Sequence, residues 1–177
     1  MNKADLADKR ATDAWSQFFR EKGYFVVSLD ARSKSGMKSI TDIIMEACKE
    51  KIERDRKRGI KNRPVRAMVV GIPNVGKSTF INSYAGKACA KTGNKPGVTK
   101  GKQWIRLSKN VELLDTPGIH KAKNKLGEYL TGTALSTFNE VDVILFLTDG
   151  PLSAGPGDRY ILELLRKVKN TPKLLII

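Results

Sequence analysis

Cysteine and histidine are scarce in this chain, which has only Cys48, Cys89 and His120. Two cysteines without a pairing motif read as reduced, partly buried thiols rather than as a disulfide or a metal site. Long apolar runs are also missing: the longest, such as 141–148, falls well short of the roughly 20 residues that span a bilayer, so no membrane segment is expected. The N-terminus lacks the basic, apolar and small-residue succession of a secretory signal, which makes the cytoplasm the expected address. Acidic residues are outnumbered, 18 against 33 Lys and Arg, for a net charge of +15. An excess of that size points to a polyanionic partner, RNA first, because clustered cations attract phosphates whatever their sequence. The densest stretch, 49–66 (KEKIERDRKRGIKNRPVR), reads equally as an RNA contact or as a solvated helix end running into a linker, since acids and helix formers are interleaved with the cations.

What remains is the composition of one soluble globular domain: 177 residues, 40% hydrophobic and 29% charged. Helical periods run over 9–22, 37–58, 77–85, 125–138 and 158–168. Between them, 24–29, 67–70, 102–107, 111–114, 142–147 and 173–177 read as six strands, several of them continuously apolar as doubly covered strands should be. The alternation predicts an α/β fold, a mostly parallel six-stranded sheet with helices on both faces, whose ligand sits at the carboxyl ends of the strands. No internal repeat is visible, and 59–66 is the stretch that resembles a linker, joining two halves of a single domain spanning 1–177.

The strongest motif is Gly71-Ile-Pro-Asn-Val-Gly-Lys-Ser78, a Gly-x4-Gly-Lys-Ser phosphate loop directly after the apolar run Ala-Met-Val-Val. Its glycines allow a tight turn whose N–H groups face phosphate oxygens, and the helix starting near Lys77 adds its positive end. Phosphate contacts are therefore expected from Asn74, Val75, Gly76, Lys77, Ser78 and Thr79, with Lys77 reaching the β- and γ-phosphates and the Ser78 hydroxyl on Mg²⁺. Asp115-Thr-Pro-Gly118 follows a second apolar run, so Asp115 can hold Mg²⁺ and the Gly118 N–H can meet the γ-phosphate. Between the two lies Pro96-Gly-Val-Thr99, where Thr99 is the candidate for a second hydroxyl on the metal.

Asn2-Lys3-Ala4-Asp5 resembles the guanine-reading motif of translation-factor-type GTPases. A carboxylate such as Asp5 can accept from the guanine ring N–H and amino group together, a pattern adenine lacks; Asn2 adds a base contact and Lys3 lays its stem along the ring. In the usual order this motif follows the phosphate loop, whereas here it opens the chain. NKADLAD, GIPNVGKST, KTGNKPGVTKGKQW and LLDTPGI make residues 1 to about 119 similar to the circularly permuted ribosome-assembly GTPases of the YlqF/RbgA type. That resemblance implies a permuted G domain, GTP, GDP and Mg²⁺ as ligands, and a partner in the large ribosomal subunit or its RNA. It also places Asp30, Ala31 and Arg32 in the last base-contacting loop.

From about His120 the chain looks like Era, a ribosome-associated GTPase in the usual order, on HKAKNKLGEYLTGTALSTFNEVDVILFLTDG and GPGDRYILELLRKVK. YlqF-type proteins carry a strand, helix and strand before their base motif and a helical domain after DTPG. The expectation is thus a recombined or engineered permuted G domain in which Ile177 ends beside Met1. An RNA-binding module and a bare scaffold that binds nucleotide without much catalysis are the rival readings.

Where many small GTPases place a water-positioning glutamine, this chain has Ile119, which resembles GTPases whose apolar residue turns away from the nucleotide. Asn74 matches the position that helps bind K⁺ in potassium-stimulated members, and with Lys77, Thr99 and Gly118 it completes the expected catalytic set. Hydrolysis is expected to be slow. His120 reads as a solvent-facing polar residue rather than a general base, and Gly155-Pro-Gly157 as a turn into a helix capped by Asp158.

Overall fold

The computed structural model describes residues 9–27, 37–90, 103–121, 125–148 and 155–176. In chain order these form α1 (Lys9–Glu21), β1 (Phe25–Val27), α2 (Met37–Ala47), α3 (Lys49–Lys57), β2 (Val65–Val70) and α4 (Lys77–Ala85), followed by β3 (Gln103–Arg106), β4 (Val111–Asp115), α5 (Lys125–Ser136), β5 (Val143–Leu147), α6 (Pro156–Lys167) and β6 (Lys173–Ile176). The six strands make one sheet in the order β1-β6-β5-β2-β4-β3. All neighbours are parallel except β3, which runs antiparallel to β4 at one edge.

The apolar runs explain this arrangement. Successive side chains of a strand point to opposite faces, and here both faces are covered. Ala67 and Val69 of β2, Val143 and Leu145 of β5, and Leu174 and Ile176 of β6 pack with Ile40 and Ile44 of α2 and with Phe80 and Ile81 of α4. On the other face Met68, Val70, Ile144, Phe146 and Leu175 pack with Phe19 of α1, Ala134 of α5, and Ile161 and Leu165 of α6. Each fully buried Leu, Ile or Phe contributes about 1.5–3 kcal/mol, so the central strands anchor the helices. The antiparallel edge strand β3 buries only Ile105.

Most boundaries differ from the sequence reading by a residue or two, and three of the differences have a visible physical cause. The helix expected over 37–58 is split at Cys48, whose backbone (φ −99°, ψ 5°) leaves the helical region. Cys48 closes the buried series Ile40, Ile44, Cys48, whereas α3, which follows it, has no buried residue. Strand β2 begins at Val65, so Val65 and Arg66 of the expected linker are sheet residues, paired with Val111 and Glu112. Helix α6 starts at Pro156 behind an N-cap Gly155 that makes no side-chain cap bond. Proline suits the first helical position because its missing N–H would have no intrahelical partner there. Asp158 is thus a buried first-turn residue and not the cap.

At the amino ends of the strands, Asp142 ties several segments together. Its carboxylate accepts from the Arg66 N–H (2.9 Å) and from Arg63 Nη2 (3.3 Å), and it pairs with Lys51. Its own N–H donates to the Arg66 carbonyl at 2.8 Å. The Cys48 thiol donates to the Asp142 carbonyl at 3.6 Å. Burial, helped by the Asp142 charge, pushes this thiol up to about 12, which makes Cys48 a protonated, unreactive packing residue at neutral pH. Both cysteines are free, as expected.

Candidate functional site

Strand β2 delivers the chain into a loop over 71–76, from which α4 departs at Lys77. The turn needs two residues of left-handed backbone, Asn74 (φ 63°) and Gly76 (φ 94°). Asparagine tolerates that region and glycine enters it freely, which accounts for both residue types in the motif. Gly76 is the N-cap of α4, and its carbonyl takes the first helical bond from the Phe80 N–H at 2.8 Å. The N–H groups of the first helical turn have no partner within the helix, and they lie at its positive end.

Lys77 is only 7% exposed. Its ammonium folds back over its own loop and donates to the carbonyls of Ile72 (3.0 Å) and Gly71 (3.4 Å). Burial lowers its pKa from the usual 10.5 to about 8, with the Asp115 charge opposing the shift. Ser78 is the next residue, and its hydroxyl donates to Asp115 Oδ2 at 3.2 Å. Asp115 closes β4 directly opposite Val69 of β2, and it is 1% exposed. Thr79 is exposed on the outer side of this turn, and Val75 is buried beneath it.

The segment after Asp115 is locked against the phosphate loop. The Thr116 hydroxyl donates to the Val69 carbonyl (2.8 Å), and the Ile119 N–H to the Gly71 carbonyl (3.1 Å). A methyl group on Gly118 would come within 2.7 Å of Pro73 N and Cα, so only glycine lets the two loops touch. Ile119 is fully buried and packs in the core below Met68 and Val70, turned away from the loop as expected of its type. His120 is half-buried, and its Nδ1 lies 3.3 Å from the Gly118 carbonyl.

The structure thus brings together Asn74, Val75, Gly76, Lys77, Ser78, Thr79, Asp115 and Gly118 at the carboxyl ends of β2 and β4. Thr99, the base-site candidates Asn2, Lys3 and Asp5, and the loop residues Asp30, Ala31 and Arg32 lie outside the described residues, as do Met1 and Ile177. One residue that the sequence does not flag bears on Thr99. Asn82 of α4 accepts from the N–H groups of Cys89 (2.9 Å) and Ala90 (2.7 Å) and donates to the Ala90 carbonyl (2.9 Å). Gln103 reaches back to the Cys89 carbonyl (3.3 Å). Both ends of the segment that carries Thr99 are therefore fastened beside α4. No spacing rule marks such a side-chain staple in the sequence.

A family model for 50S ribosome-binding GTPases matches residues 66–177, starting at the second residue of β2. The chain belongs to this family. It is a GTP-binding domain of the type that includes ribosome biogenesis GTPase A of Bacillus cereus, to which it is 47% identical over 150 residues, 84% of this chain and 50% of that protein. It is also 48% identical over 112 residues to GTPase Era of Alkaliphilus metalliredigens, covering 62% of this chain and 38% of that protein. The chain spans about half the length or less of these curated relatives. Both matches are longer than the parts assigned to either resemblance on the two sides of residue 119. Among solved structures, Era in complex with MgGDPNP and nucleotides 1506–1542 of 16S ribosomal RNA superposes with a TM-score of 0.56 at 29% identity, covering 66% of this chain and 41% of that one. An Aquifex aeolicus Era variant bound to GDP and AlF4⁻ gives 0.55 at 31%, over 63% and 39%. No helix among the described residues is long and apolar enough to cross a membrane.

Proposed function

We propose that this domain hydrolyses GTP slowly with Mg²⁺ and serves as a nucleotide switch on a ribosomal particle in the cytoplasm. The observation that carries the reading is the Ser78–Asp115 hydrogen bond, which sets a hydroxyl and a carboxylate side by side at the mouth of a phosphate loop. Two hard oxygen donors fit an ion that completes its shell with phosphate oxygens and water. Ser78 and Asp115 would hold Mg²⁺, with Thr99 as the third protein ligand, and the ion would offset charge on the transferred phosphoryl group. The N–H groups of 74–79 and the Lys77 ammonium would face the phosphates, and the Gly118 N–H the third of them. With Ile119 buried, no glutamine orients water at that position, which is the basis for slow turnover. The ribosomal partner rests on the named functions of the relatives and on the RNA bound to the Era neighbour.

The guanine would be read by Asn2, Lys3 and Asp5 with the loop of Asp30, Ala31 and Arg32, in a single permuted domain whose halves are joined near 59–66. Supporting this, β1 and β6 pair in parallel with Val27 beside Ile176, so both strands end at the same carboxyl edge of the sheet. The test is a titration of labelled GDP and GTP in Mg²⁺, competed by ATP and repeated with Asp5→Asn. Tight binding that ATP does not displace is expected, weakened about 10- to 100-fold by the substitution, the range for one lost bond to a charged group. Unchanged affinity would remove Asp5 from the base site.

Asn74, exposed on the outer turn of the loop, is proposed to contribute to a K⁺ site that adds positive charge where an arginine finger acts in other GTPases. GTP hydrolysis is then expected to run several-fold faster in KCl than in matched NaCl. Equal rates would exclude that role.

A further inference from the structure

A cavity of about 400 Å³ lies at the end of the sheet away from the phosphate loop, bounded by the residues that lead into β2, β4 and β5. Its volume is in the range of ligand pockets. Met45 and Ile52 supply apolar wall, Ile60 stands at the rim 44% exposed, and the Asn62 and Asn110 carboxamides offer paired donors and acceptors. Arg56 and Lys61 also line it, as do the carboxylates of Asp55 and Asp142, whose charges are met by Lys51 and Arg63. Among the described residues the ion pairs of this region engage Lys51, Arg63 and Arg66, and none takes up Arg56 or Lys61.

The positive charge does not stop at the cavity. Residues 49–66 hold nine Lys and Arg against three acids, and most of these cations are exposed on α3 and the turn after it. Helix α3 alone is about 13 Å long at 1.5 Å per residue, a longer track than a single small anion requires. A surface of this kind matches a polyanion with a body that can enter an apolar-walled hollow. An anionic membrane does not fit: α3 carries Glu50 and Glu53 on its surface, and its one large apolar residue, Ile52, packs inward against the core, leaving no apolar face to insert.

We propose that this cavity takes one unstacked base of a single-stranded RNA, with the flanking phosphates on Arg56, Lys61 and the outer cations of α3. Single-strand sites commonly combine a basic track with a hollow or platform that accepts bases. The surface deepens the ribosomal reading above and depends on it only for the source of the RNA, because it lies at the other end of the sheet from the phosphate loop.

The test is fluorescence anisotropy of the purified chain with a labelled ten-nucleotide adenosine RNA and with an abasic strand carrying the same phosphates. The strand with bases is expected to bind about ten-fold tighter or more, and its affinity should fall steeply as KCl rises. The double change Arg56→Glu and Lys61→Glu should weaken it at least about ten-fold. Arg166→Glu with Lys167→Glu, on α6 at the other face of the sheet, should leave it nearly unchanged. Labelled GDP is measured on every protein, so that a folding failure or a failed nucleotide reading is seen separately from the RNA result. Equal affinity for the abasic strand would overturn the proposal, since phosphate attraction alone would explain it. So would an equal loss in the α6 control, or binding to phosphatidylserine vesicles without binding to the RNA.

Discussion

Replacing Lys77 by methionine is expected to remove tight nucleotide binding and, in the same protein, to raise the stability of the nucleotide-free fold. The two effects share one cause. The ammonium is buried, and burial lowers its pKa from 10.5 to about 8, so below pH 8 the folded chain holds a charge it disfavours by about 3 kcal/mol relative to the unfolded chain. Methionine keeps the length and the apolar stem without the charge. It gives up the bonds to the Ile72 and Gly71 carbonyls, worth about 1 kcal/mol each, which leaves a net gain of about 1 kcal/mol in urea unfolding at pH 7. Phosphates reverse the balance, because they favour the ammonium form, and losing that partner should weaken GDP about 100-fold or more.

The pH dependence has a definite sign. Between pH 8 and 10.5 the unfolded chain binds more protons at this lysine than the folded one, so nucleotide-free stability contributed by Lys77 rises with pH across that window and levels off above it. The methionine variant should lack that rise. GDP affinity of the parent should move the other way and fall as pH climbs past about 8. A methionine variant that still bound GDP tightly, or that unfolded well below the parent, would count against a buried, phosphate-facing ammonium.

Asp142→Ala should do the opposite: destabilise the fold and spare the site. Its carboxylate is 5% exposed and serves the Arg66 N–H, Arg63 and Lys51. Lys51 and Arg63 are each about a third exposed, so water screens their loss. The main loss is the bond to the Arg66 N–H, together with the charge that fastens the segment before β2 to the sheet. A drop of about 2–3 kcal/mol in urea unfolding is expected, with GDP affinity of the folded fraction unchanged because the phosphate loop lies at the other end of the strands. Parallel losses of affinity and stability would mean that the two ends of the sheet are coupled.

Much of this architecture was legible beforehand for a physical reason. Strands buried on both faces must be apolar at every position, so 67–70 and 142–147 stood out, and a phosphate loop constrains both its residues and its flanking elements. Lys77, Ser78, Asp115 and Gly118 could therefore be expected to meet. The errors fall where a distant partner decides a local conformation. The helical period runs through Ile40, Ile44 and Cys48 without a sign of the break, which comes where the chain meets Asp142, 94 residues on. Val65 and Arg66 looked like linker because Pro64 and the surrounding charges outweigh two strand positions, yet pairing with Val111 and Glu112 recruits them. At α6 the sequence suggests Asp158 as the cap, but Pro156 already begins the helix. The Asn82 staple left no trace because both its partners lie in irregular chain.

The pairing of β1 with β6 has a mechanical consequence. The two strands run side by side in the same direction, joined through Phe25–Leu174, Val26–Leu175 and Val27–Ile176. Tension applied ahead of β1 and beyond β6 pulls on opposite ends of this ladder, so the rungs are loaded in shear and must fail together rather than peel one after another. The pair resists being drawn apart along its length, even though β1 has only three residues among those described.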